Sequence, residues 1–239
     1  GRIVGGAAPL PAPLGTNLSA KRGQRMKWTL LVMGHGRWPY HQRAIEALDA
    51  VIGLDFFDRL VLSLDGGCEP LPPWADEAGR WEDYQLPSRQ GLTANLAQAW
   101  GALTTDDEWV FHVEEDFLIR DAPLDEMAAT LDAFPFVANM VLVRQPWNQV
   151  ERRFGSVLPT IPGLVDRGGW QEHRRGFWLN PFVAHASLLR SLCPGVEQKL
   201  TDQCLARGLS FGYYGGRDDE PRCEHIGAEG GMGSEGWLP

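Results

Sequence analysis

The sequence predicts an α/β protein with a Rossmann-like, doubly wound and mostly parallel sheet in a single domain. Apolar runs that lack polar alternation, such as 28–33 and 109–113, are typical of strands buried on both faces of a parallel sheet. Helical patterns with one apolar stripe separate these runs, as they do in βαβ units. The 239 residues, 44% of them hydrophobic and 22% charged, are enough for one domain of this kind.

The predicted elements alternate regularly from residue 26 onward. In chain order we expect strands at 28–33, 58–64, 81–86, 109–117 and 137–143, and helices at 39–52, from Ser88, from Asp121 and at 196–207. Ser88 and Asp121 are expected to cap their helices, because a short polar side chain there can accept a hydrogen bond from a free backbone N–H. Gly208 follows the last helix, in the position where glycine commonly ends helices.

Two segments break this alternation. Residues 1–25 are rich in glycine, proline and alanine and lack hydrophobic periodicity, which predicts a flexible leader before a domain at 26–239. Residues 145–169 contain several prolines and glycines, which indicates a long loop or a small subdomain. Loops of this length are commonly functional lids.

The chain carries a net charge of −9, so its overall field repels a polyanion. Contact with nucleic acid would therefore need a local basic patch. Two adjacent arginine pairs, Arg152–Arg153 and Arg174–Arg175, are the candidates, although arginines in loops are more often simply solvated.

The sequence also limits the compartment. No apolar window is long enough to span a bilayer, and residues 1–25 lack the apolar core of a signal peptide, so we expect a cytoplasmic protein without a membrane partner. The cysteines have no CxxC spacing, which argues against a zinc knuckle and suits free thiols. They are Cys68, Cys193, Cys204 and Cys223, with a Cys193–Cys223 bridge as the alternative.

Three consecutive carboxylates, Glu114, Glu115 and Asp116, follow the apolar run at 109–113. In parallel α/β sheets ligands bind just beyond the carboxyl ends of the strands, so these acids stand where chemistry is usually done. Oxygen-rich clusters hold Mg²⁺ or Mn²⁺, and those metals in turn hold phosphates. A solvated turn after the strand is the alternative interpretation.

The order of these motifs resembles that of GT-A-fold glycosyltransferases, especially family 2-like enzymes and small phage-encoded ones, over residues 27–237. Residues 29–36 resemble the first strand and its nucleotide-facing turn, 62–67 the strand that ends in a base- or ribose-binding aspartate, and 91–101 the helix before the metal motif. For a phage-encoded enzyme the expected compartment is the host cytoplasm. The resemblance implies a nucleotide-sugar donor held by Gly34, His35, Asp65, Gly91, Asn95 and Glu115.

In this resemblance residues 114–116 take the place of the DxD metal motif, with Asp116 as the direct ligand and Glu114 as its partner. Glutamate at the first position departs from the family pattern. His225 stands where the family often has a late histidine that completes the metal site, although a lone histidine is more often structural. Because neutral imidazole suits Mn²⁺ better than Mg²⁺, we expect manganese, with magnesium as the alternative.

The helix that begins at Glu197 resembles the family's xED helix, with Gln198 where the motif's aspartate normally stands. An inverting transferase needs a carboxylate near the acceptor hydroxyl to take its proton. Glu197 is therefore the candidate base, and Asp202, on the same helix, is the reserve. The alternative is that Glu197 is merely an exposed helix acid.

The resemblance implies a metal-dependent, inverting hexosyltransferase that uses a nucleotide-sugar, with UDP favoured, and an acceptor hydroxyl. A hydroxymethylated base in DNA is the first acceptor we consider, and a protein or a polysaccharide are the alternatives. Some tryptophans could stack on a sugar or a base, or simply fill the core. They are Trp147, Trp170, Trp178 and Trp237.

Two other classes of function use the same residues. A metal-dependent phosphodiesterase would need a second carboxylate–histidine cluster for a second metal about 4 Å away, and the sequence has no HxD or DxH pair. A non-catalytic module that binds sugar nucleotides would be consistent with Gln198 in place of the usual acid.

Overall fold

The structure, a computed structural model, describes residues 25–66 and 79–227. The strands are β1 Trp28–Gly34, β2 Arg59–Leu64, β3 Trp81–Gln85, β4 Trp109–Glu114, β5 Phe117–Ile119, β6 Val137–Leu142, β7 Val165–Asp166, β8 Trp170–His173, β9 Phe182–His185, β10 Ser210–Tyr214 and β11 Cys223–His225. The helices are α1 Trp38–Val51, α2 Leu92–Gly101, α3 Leu124–Ala133, α4 Gln149–Phe154, α5 Ala186–Ser191 and α6 Glu197–Ala206, with short 3₁₀ turns at Leu54–Phe56 and Leu158–Thr160.

In the described part of the chain, nine strands form one sheet in the order β3-β2-β1-β4-β9-β6-β10-β8-β7. β3, β2, β1 and β4 are parallel neighbours, and β10 is parallel to β6. β9 runs antiparallel between β4 and β6, and β8 runs antiparallel to β10 and β7. The predicted single α/β domain with a mostly parallel sheet is confirmed. The antiparallel strands β7, β8 and β9 are the difference. They follow the irregular segment after β6, where no predicted helical crossover connects one strand to the next.

The central strands are buried on both faces, as their unbroken apolar sequences predict. Successive side chains of a strand point to opposite faces, so Leu30 and Leu31 of β1 enter two different hydrophobic clusters. The first cluster contains buried residues of α1 and α3, and the second contains those of α2, α5 and α6. Helices therefore cover both faces of the sheet, which leaves its strand ends as the place for a site.

Two predicted helix caps are wrong. No side chain caps α2, whose N-cap is Gly91 with φ 85°, so Ser88 lies outside the helix. No side chain caps α3 either, because Asp121 pairs with Arg222 and Pro123 takes the cap position. The predicted end of α6 agrees with the structure, since Gly208 follows Arg207 with φ 79°.

The irregular segment 145–169 contains α4, a 3₁₀ turn and β7, so it is more ordered than a simple loop. Cys193, Cys204 and Cys223 are free thiols, so the alternative bridge between Cys193 and Cys223 does not form. Across 25–66 and 79–227, no helix is both long and apolar enough to cross a bilayer. Cys68, Trp237 and almost all of the predicted leader lie outside the described residues.

Candidate active site

The carboxyl ends of β1, β2 and β4 meet at one edge of the sheet. Gly34 is in register with Leu64, and Met33 with Glu114, so the residues that follow these strands are neighbours. The backbone N–H of Glu115 donates to Met33 at 2.8 Å, which extends the β1–β4 pairing into the acidic turn. A small second sheet, in which β11 pairs with β5, brings His225 opposite Phe117 and so beside this turn.

Both carboxylate oxygens of Glu115 have partners within the protein. Its Oε2 accepts from the backbone N–H groups of His35 at 2.9 Å and Arg37 at 3.2 Å, and it lies 2.8 Å from His41 Nε2. Its Oε1 accepts from the guanidinium of Arg37. Burial alone would raise the pKa of Glu115, but His41 and Arg37 lower it to about 2. Glu115 is therefore an ionised anchor for the β1–α1 turn, which favours a positioning role over contact with a donor.

Asp116 and His225 face each other. Oδ2 of Asp116 lies 3.4 Å from Nε2 of His225 and accepts a 2.8 Å hydrogen bond from Arg37. Burial alone would raise the pKa of Asp116, but His225 and Arg37 together hold that pKa below its ordinary value. Both side chains are largely buried, 14% and 11% exposed, and only a small part of each remains accessible.

Glu114, at the end of β4, stands beside this pair without a partner of its own. Among the described residues its carboxylate makes no hydrogen bond and no ion pair. Burial and the charges of Asp116 and Glu197 raise its pKa well above the ordinary value. A carboxylate that is buried among other acids in this way gains most from a nearby cation.

The chemistry of these residues fits a divalent metal. Two ligand atoms that each lie about 2.1 Å from one ion are about 3 Å apart when the angle between them at the ion is about 90°. The distance between Asp116 Oδ2 and His225 Nε2, 3.4 Å, is close to this value. Within the described residues, no group of three His, Cys, Asp or Glu side chains forms a complete metal cage. Ions such as Mg²⁺ are often held by only one or two carboxylates together with substrate phosphates, so the pair is compatible with a site that the donor completes.

The residues predicted to hold the nucleotide-sugar lie close together at the same strand ends. Most of them, however, form hydrogen bonds or close contacts with other residues of the chain. Asn95 is buried, accepts from Ser63 Oγ at 2.7 Å and donates to the carbonyl of Gly34 at 3.1 Å. A Cβ on Gly34 would lie within 3.0 Å of side-chain atoms of Glu115 and His41. Gly34 and Asn95 therefore allow close packing at the strand ends.

Asp65 is fully buried and organises the start of α2. Its carboxylate accepts from the backbone N–H groups of Gln90 at 2.6 Å and Gly91 at 2.9 Å. Nδ1 of His35 lies 3.4 Å from Asp65, and the His35 side chain is 21% exposed. Of the predicted donor residues, His35 is thus the one whose side chain remains partly open at the strand ends, whereas Asp65 and Gly91 shape the turn beside it.

Glu197, the first residue of α6, faces a cavity of about 490 Å³. Its Oε1 accepts from the backbone N–H of Leu179 at 2.9 Å, which fixes the side chain toward the sheet. Burial raises its pKa, and the Leu179 hydrogen bond and the charge of Arg144 offset only part of that effect. A fixed, buried carboxylate of raised pKa that lines a cavity has the properties of a general base.

Asp202 is not brought to the site. It is exposed on α6 and accepts a 2.7 Å hydrogen bond from Gln198, and neither residue lines the cavity. Five residues correspond to about 1.4 turns of α-helix, so Glu197 and Asp202 lie about 140° apart around the helix axis and on different faces. The structure therefore favours Glu197 over the reserve base.

The tryptophans divide between the cavity and the core. Trp147 and Trp178 line the cavity, and Trp147 also stacks on His225 with ring centroids 3.9 Å apart. Trp170 is buried against Phe134, as a core residue. The segment predicted as a lid supplies Trp147 and much of the cavity wall.

Four residues at the site were not predicted from the sequence. Arg37 bridges Glu115 and Asp116, and the side chain of Gln145 holds the main chain of His225 with two hydrogen bonds. Arg144 and Glu151 form a two-point ion pair in the cavity wall, at 2.8 and 3.0 Å. For Arg144 and Glu151, the one sequence feature that could have indicated a role was a pair of opposite charges seven residues apart, just after the buried strand β6. For Arg37, the sequence offered no such feature beyond its position in the turn between β1 and α1.

No protein-family model and no curated protein sequence matches the chain. Two solved structures resemble it in fold. The crystal structure of GalNAc-T7 with UDP, GalNAc and Mn²⁺ aligns over 84% of this chain and 44% of that one, with TM-score 0.61 and 11% identity. The crystal structure of S. aureus TarS 1–349 aligns over 84% of this chain and 60% of that one, with TM-score 0.56 and 13% identity.

Both of these structures are GT-A glycosyltransferases, so the likeness shows that this chain has the GT-A fold, as the sequence predicted. At such low identities the likeness shows the fold alone. The chain also spans less than two thirds of the length of either structure.

Proposed function

We propose that this protein is a metal-dependent glycosyltransferase that moves a hexose from a nucleotide-sugar to an acceptor hydroxyl. The observation that carries the proposal is the position of Trp147. Its ring stacks on His225 of the Asp116–His225 pair and also lines the cavity that holds Glu197. A candidate metal pair and a candidate base therefore lie near one aromatic side chain, and the charge of Glu197 also acts on Glu114 beside the pair.

Asp116 and His225 would hold the metal, with Glu114 as a further carboxylate beside them. The bound ion would offset the charge that develops on a diphosphate leaving group. Manganese is favoured over magnesium because an imidazole belongs to the donor set. The presence of UDP and Mn²⁺ in the GalNAc-T7 structure supports a UDP-sugar as the donor class.

Glu197 would act on the acceptor. As the acceptor oxygen forms its bond to the anomeric carbon, the bond from that carbon to the diphosphate breaks and the acceptor proton passes to Glu197. Attack from the side opposite to the leaving group inverts the configuration. The raised pKa of Glu197 brings its proton affinity closer to what a base needs near neutral pH.

The acceptor we consider first is a hydroxymethylated base in DNA, with a protein or a polysaccharide as alternatives. The cavity is about 490 Å³ and is lined by the aromatic rings of Trp147 and Trp178, which suits a flat or ring-shaped group. A two-metal phosphodiesterase remains the less favoured alternative, because the sequence has no HxD or DxH pair for a second metal. The buried carboxylate at Glu197 favours turnover over simple binding.

A donor screen tests the proposal. UDP- and GDP-sugars should be compared for thermal stabilisation of the protein with Mn²⁺, because a ligand that binds the native state raises its melting temperature. Donors that stabilise should then be incubated with DNA, protein and polysaccharide acceptors, and the products identified by mass spectrometry. We expect stabilisation by a UDP-sugar only when Mn²⁺ is present. Equal stabilisation without the metal, or none by any nucleotide-sugar, would refute the proposal.

A further inference from the structure

Glu151 is a buried carboxylate in the cavity wall that the proposed reaction does not use. Its Oε2 accepts from Arg144 at 2.8 Å and from the backbone N–H of Trp147 at 2.7 Å, and its Oε1 accepts from Arg144 at 3.0 Å. Burial alone would raise the pKa of Glu151, but Arg144 and the Trp147 N–H hold that pKa below its ordinary value. An ionised acid whose two oxygens are already engaged is poorly suited to bind a ligand or to take a proton, so its role lies within the chain.

The arginine of this pair is also engaged within the chain. Besides Glu151, Arg144 donates to the carbonyl of Gln145 at 2.9 Å, and its guanidinium lies over the Trp147 ring, 5.5 Å from the ring centroid. Burying two charges carries a desolvation cost that an apolar pair of similar volume would avoid. What the ion pair adds over an apolar pair is one fixed geometry for the segment 144–151.

Glu151 closes the segment 144–151 on itself. In addition to the Trp147 N–H that its side chain accepts, its own backbone N–H donates to Asn148 Oδ1 at 2.9 Å, at the start of α4. At the other end of the segment, the backbone N–H of Gln145 donates to the carbonyl of the first residue of β11 at 3.2 Å. The segment is therefore fixed between α4 and β11, and Trp147 lies in its middle.

The ring of His225, in β11, is oriented by aromatic contacts. Its Nε2 faces Asp116 at 3.4 Å, whereas its Nδ1 is buried and has no hydrogen-bond partner among the described residues. A histidine that binds a metal usually donates its other N–H to a polar group, which orients the ring. Here Trp147 stacks on the ring with centroids 3.9 Å apart, and Phe117 meets it edge-on at 4.8 Å. The orientation of His225 thus depends on where Trp147 lies.

From these contacts we infer that Glu151 is a positioning residue for the metal site and acts through Trp147. It holds the main chain of Trp147 directly and the Trp147 ring through Arg144, and Trp147 in turn orients the imidazole of His225. The inference rests on the proposed function, because it requires His225 to bind the metal. It assigns to an ion pair in the cavity wall an effect on the affinity of the metal site.

Binding of Mn²⁺ in the presence of UDP, measured by electron paramagnetic resonance, tests the inference. Glu151→Gln keeps the size of the side chain but loses the charge that holds Arg144. We expect the affinity for Mn²⁺ to fall by about tenfold to a hundredfold, the scale for loss of a supporting contact. Normal Mn²⁺ binding by Glu151→Gln would overturn the inference.

Glu172→Gln is the matched control. Glu172, in β8, accepts two hydrogen bonds from Arg167 and is largely buried, but it does not line the cavity. This variant loses a comparable ion pair and should bind Mn²⁺ as the wild-type protein does. An equal loss in the control would show that any broken ion pair weakens the metal site, and the specific role of Glu151 would be wrong.

A double-mutant cycle tests the route through Trp147. Trp147→Ala alone should lower the affinity for Mn²⁺ by a factor similar to that of Glu151→Gln. In the Trp147→Ala protein, Glu151→Gln should have little further effect, because the contact that it supports is already gone. If the two losses multiply instead, the two residues act independently and the proposed route is wrong.

A further variant separates loss of position from loss of the fold. Arg144→Met with Glu151→Leu replaces both charges by apolar side chains, a change that is often neutral or stabilising for a buried ion pair. We expect a melting temperature near that of the wild-type protein and a loss of Mn²⁺ affinity like that of Glu151→Gln. A folded double variant with normal Mn²⁺ affinity would overturn the inference.

The wild-type protein separates this inference from the proposed function. If it binds UDP and Mn²⁺, and Glu151→Gln binds Mn²⁺ equally well, the positioning role is wrong and the glycosyltransferase proposal stands. If the wild-type protein does not bind Mn²⁺, the metal site fails, and the proposed function and this inference fail with it.

Discussion

Gln145 and His225 are joined by two hydrogen bonds, in which Gln145 Nε2 donates to the His225 carbonyl at 2.9 Å and the His225 N–H donates to Gln145 Oε1 at 2.8 Å. The side-chain amide of Gln145 thus pairs with β11 as a neighbouring strand would, on the edge opposite to β5. This contact fixes the main chain of the candidate metal ligand, and Trp147 fixes its ring by stacking.

Gln145→Ala should therefore weaken the metal site without removing a ligand. We expect the affinity for Mn²⁺, measured by electron paramagnetic resonance, to fall by about tenfold to a hundredfold, which is the usual cost of losing a supporting contact. His225→Ala should cost at least as much. Gln149→Ala, on an exposed residue four positions away, serves as the control and should bind Mn²⁺ normally. Normal Mn²⁺ binding by both Gln145→Ala and His225→Ala would mean that His225 is structural.

The fold and the site differ in how far sequence could predict them. Unbroken apolar strands and amphipathic helices gave the α/β class, because burial on two faces leaves a direct pattern in the sequence. Asp116, His225 and Glu197 were named from motif order, and the structure places them around Trp147. Arg37 and Gln145 were missed, since their contacts with Asp116 and His225 are set by loops that carry no periodicity.

Asp65 and Asn95 show the opposite error, in which the sequence predicts a ligand-binding role for residues that bind the chain itself. Sequence reasoning marked both as donor residues, yet their polar atoms bind Gln90, Gly91, Ser63 and the carbonyl of Gly34. A polar residue at a strand end can serve a ligand or the chain itself, and the sequence does not distinguish these cases.

Gly34→Ala should destabilise the fold by about 1–3 kcal/mol, since an added methyl group there overlaps Glu115 and His41. The free energy of unfolding in urea measures this effect. Gly101→Ala is the matched control, because a Cβ on Gly101 meets nothing within 4 Å and the residue is helical. It should be neutral or slightly stabilising. A Gly34→Ala protein of wild-type stability would contradict the packing role and leave donor contact as the reason for this glycine.

Glu197→Gln should lower turnover by about 10²–10⁴ while UDP-sugar affinity is unchanged, because the amide keeps the shape but cannot accept the proton. Steady-state kinetics with Mn²⁺ measure both quantities. Asp202→Asn should have little effect, since Asp202 is exposed and bound to Gln198. If Asp202→Asn is the damaging change, the roles of the two acids are reversed.

The pH dependence of turnover provides a separate test of Glu197. A base must be ionised to act, so activity should rise with pH through the pKa of Glu197. Burial raises that pKa above its ordinary value of 4.5, and the ascending limb should therefore have its midpoint above 4.5. The limb should be absent from the residual activity of Glu197→Gln. A limb at or below 4.5, or one that persists in the variant, would assign the titration to another group.

Release of UDP from a UDP-sugar, compared in Mn²⁺ and in EDTA, is the most direct test of a metal-dependent transferase at Asp116 and His225. We expect release by the wild-type protein in Mn²⁺, and none in EDTA. We expect none from Asp116→Ala in either buffer, although that variant should stay folded because Asp116 lies in a turn at the strand end and not in the core. Full release in EDTA, or wild-type release by folded Asp116→Ala, would contradict a glycosyltransferase built on this metal site.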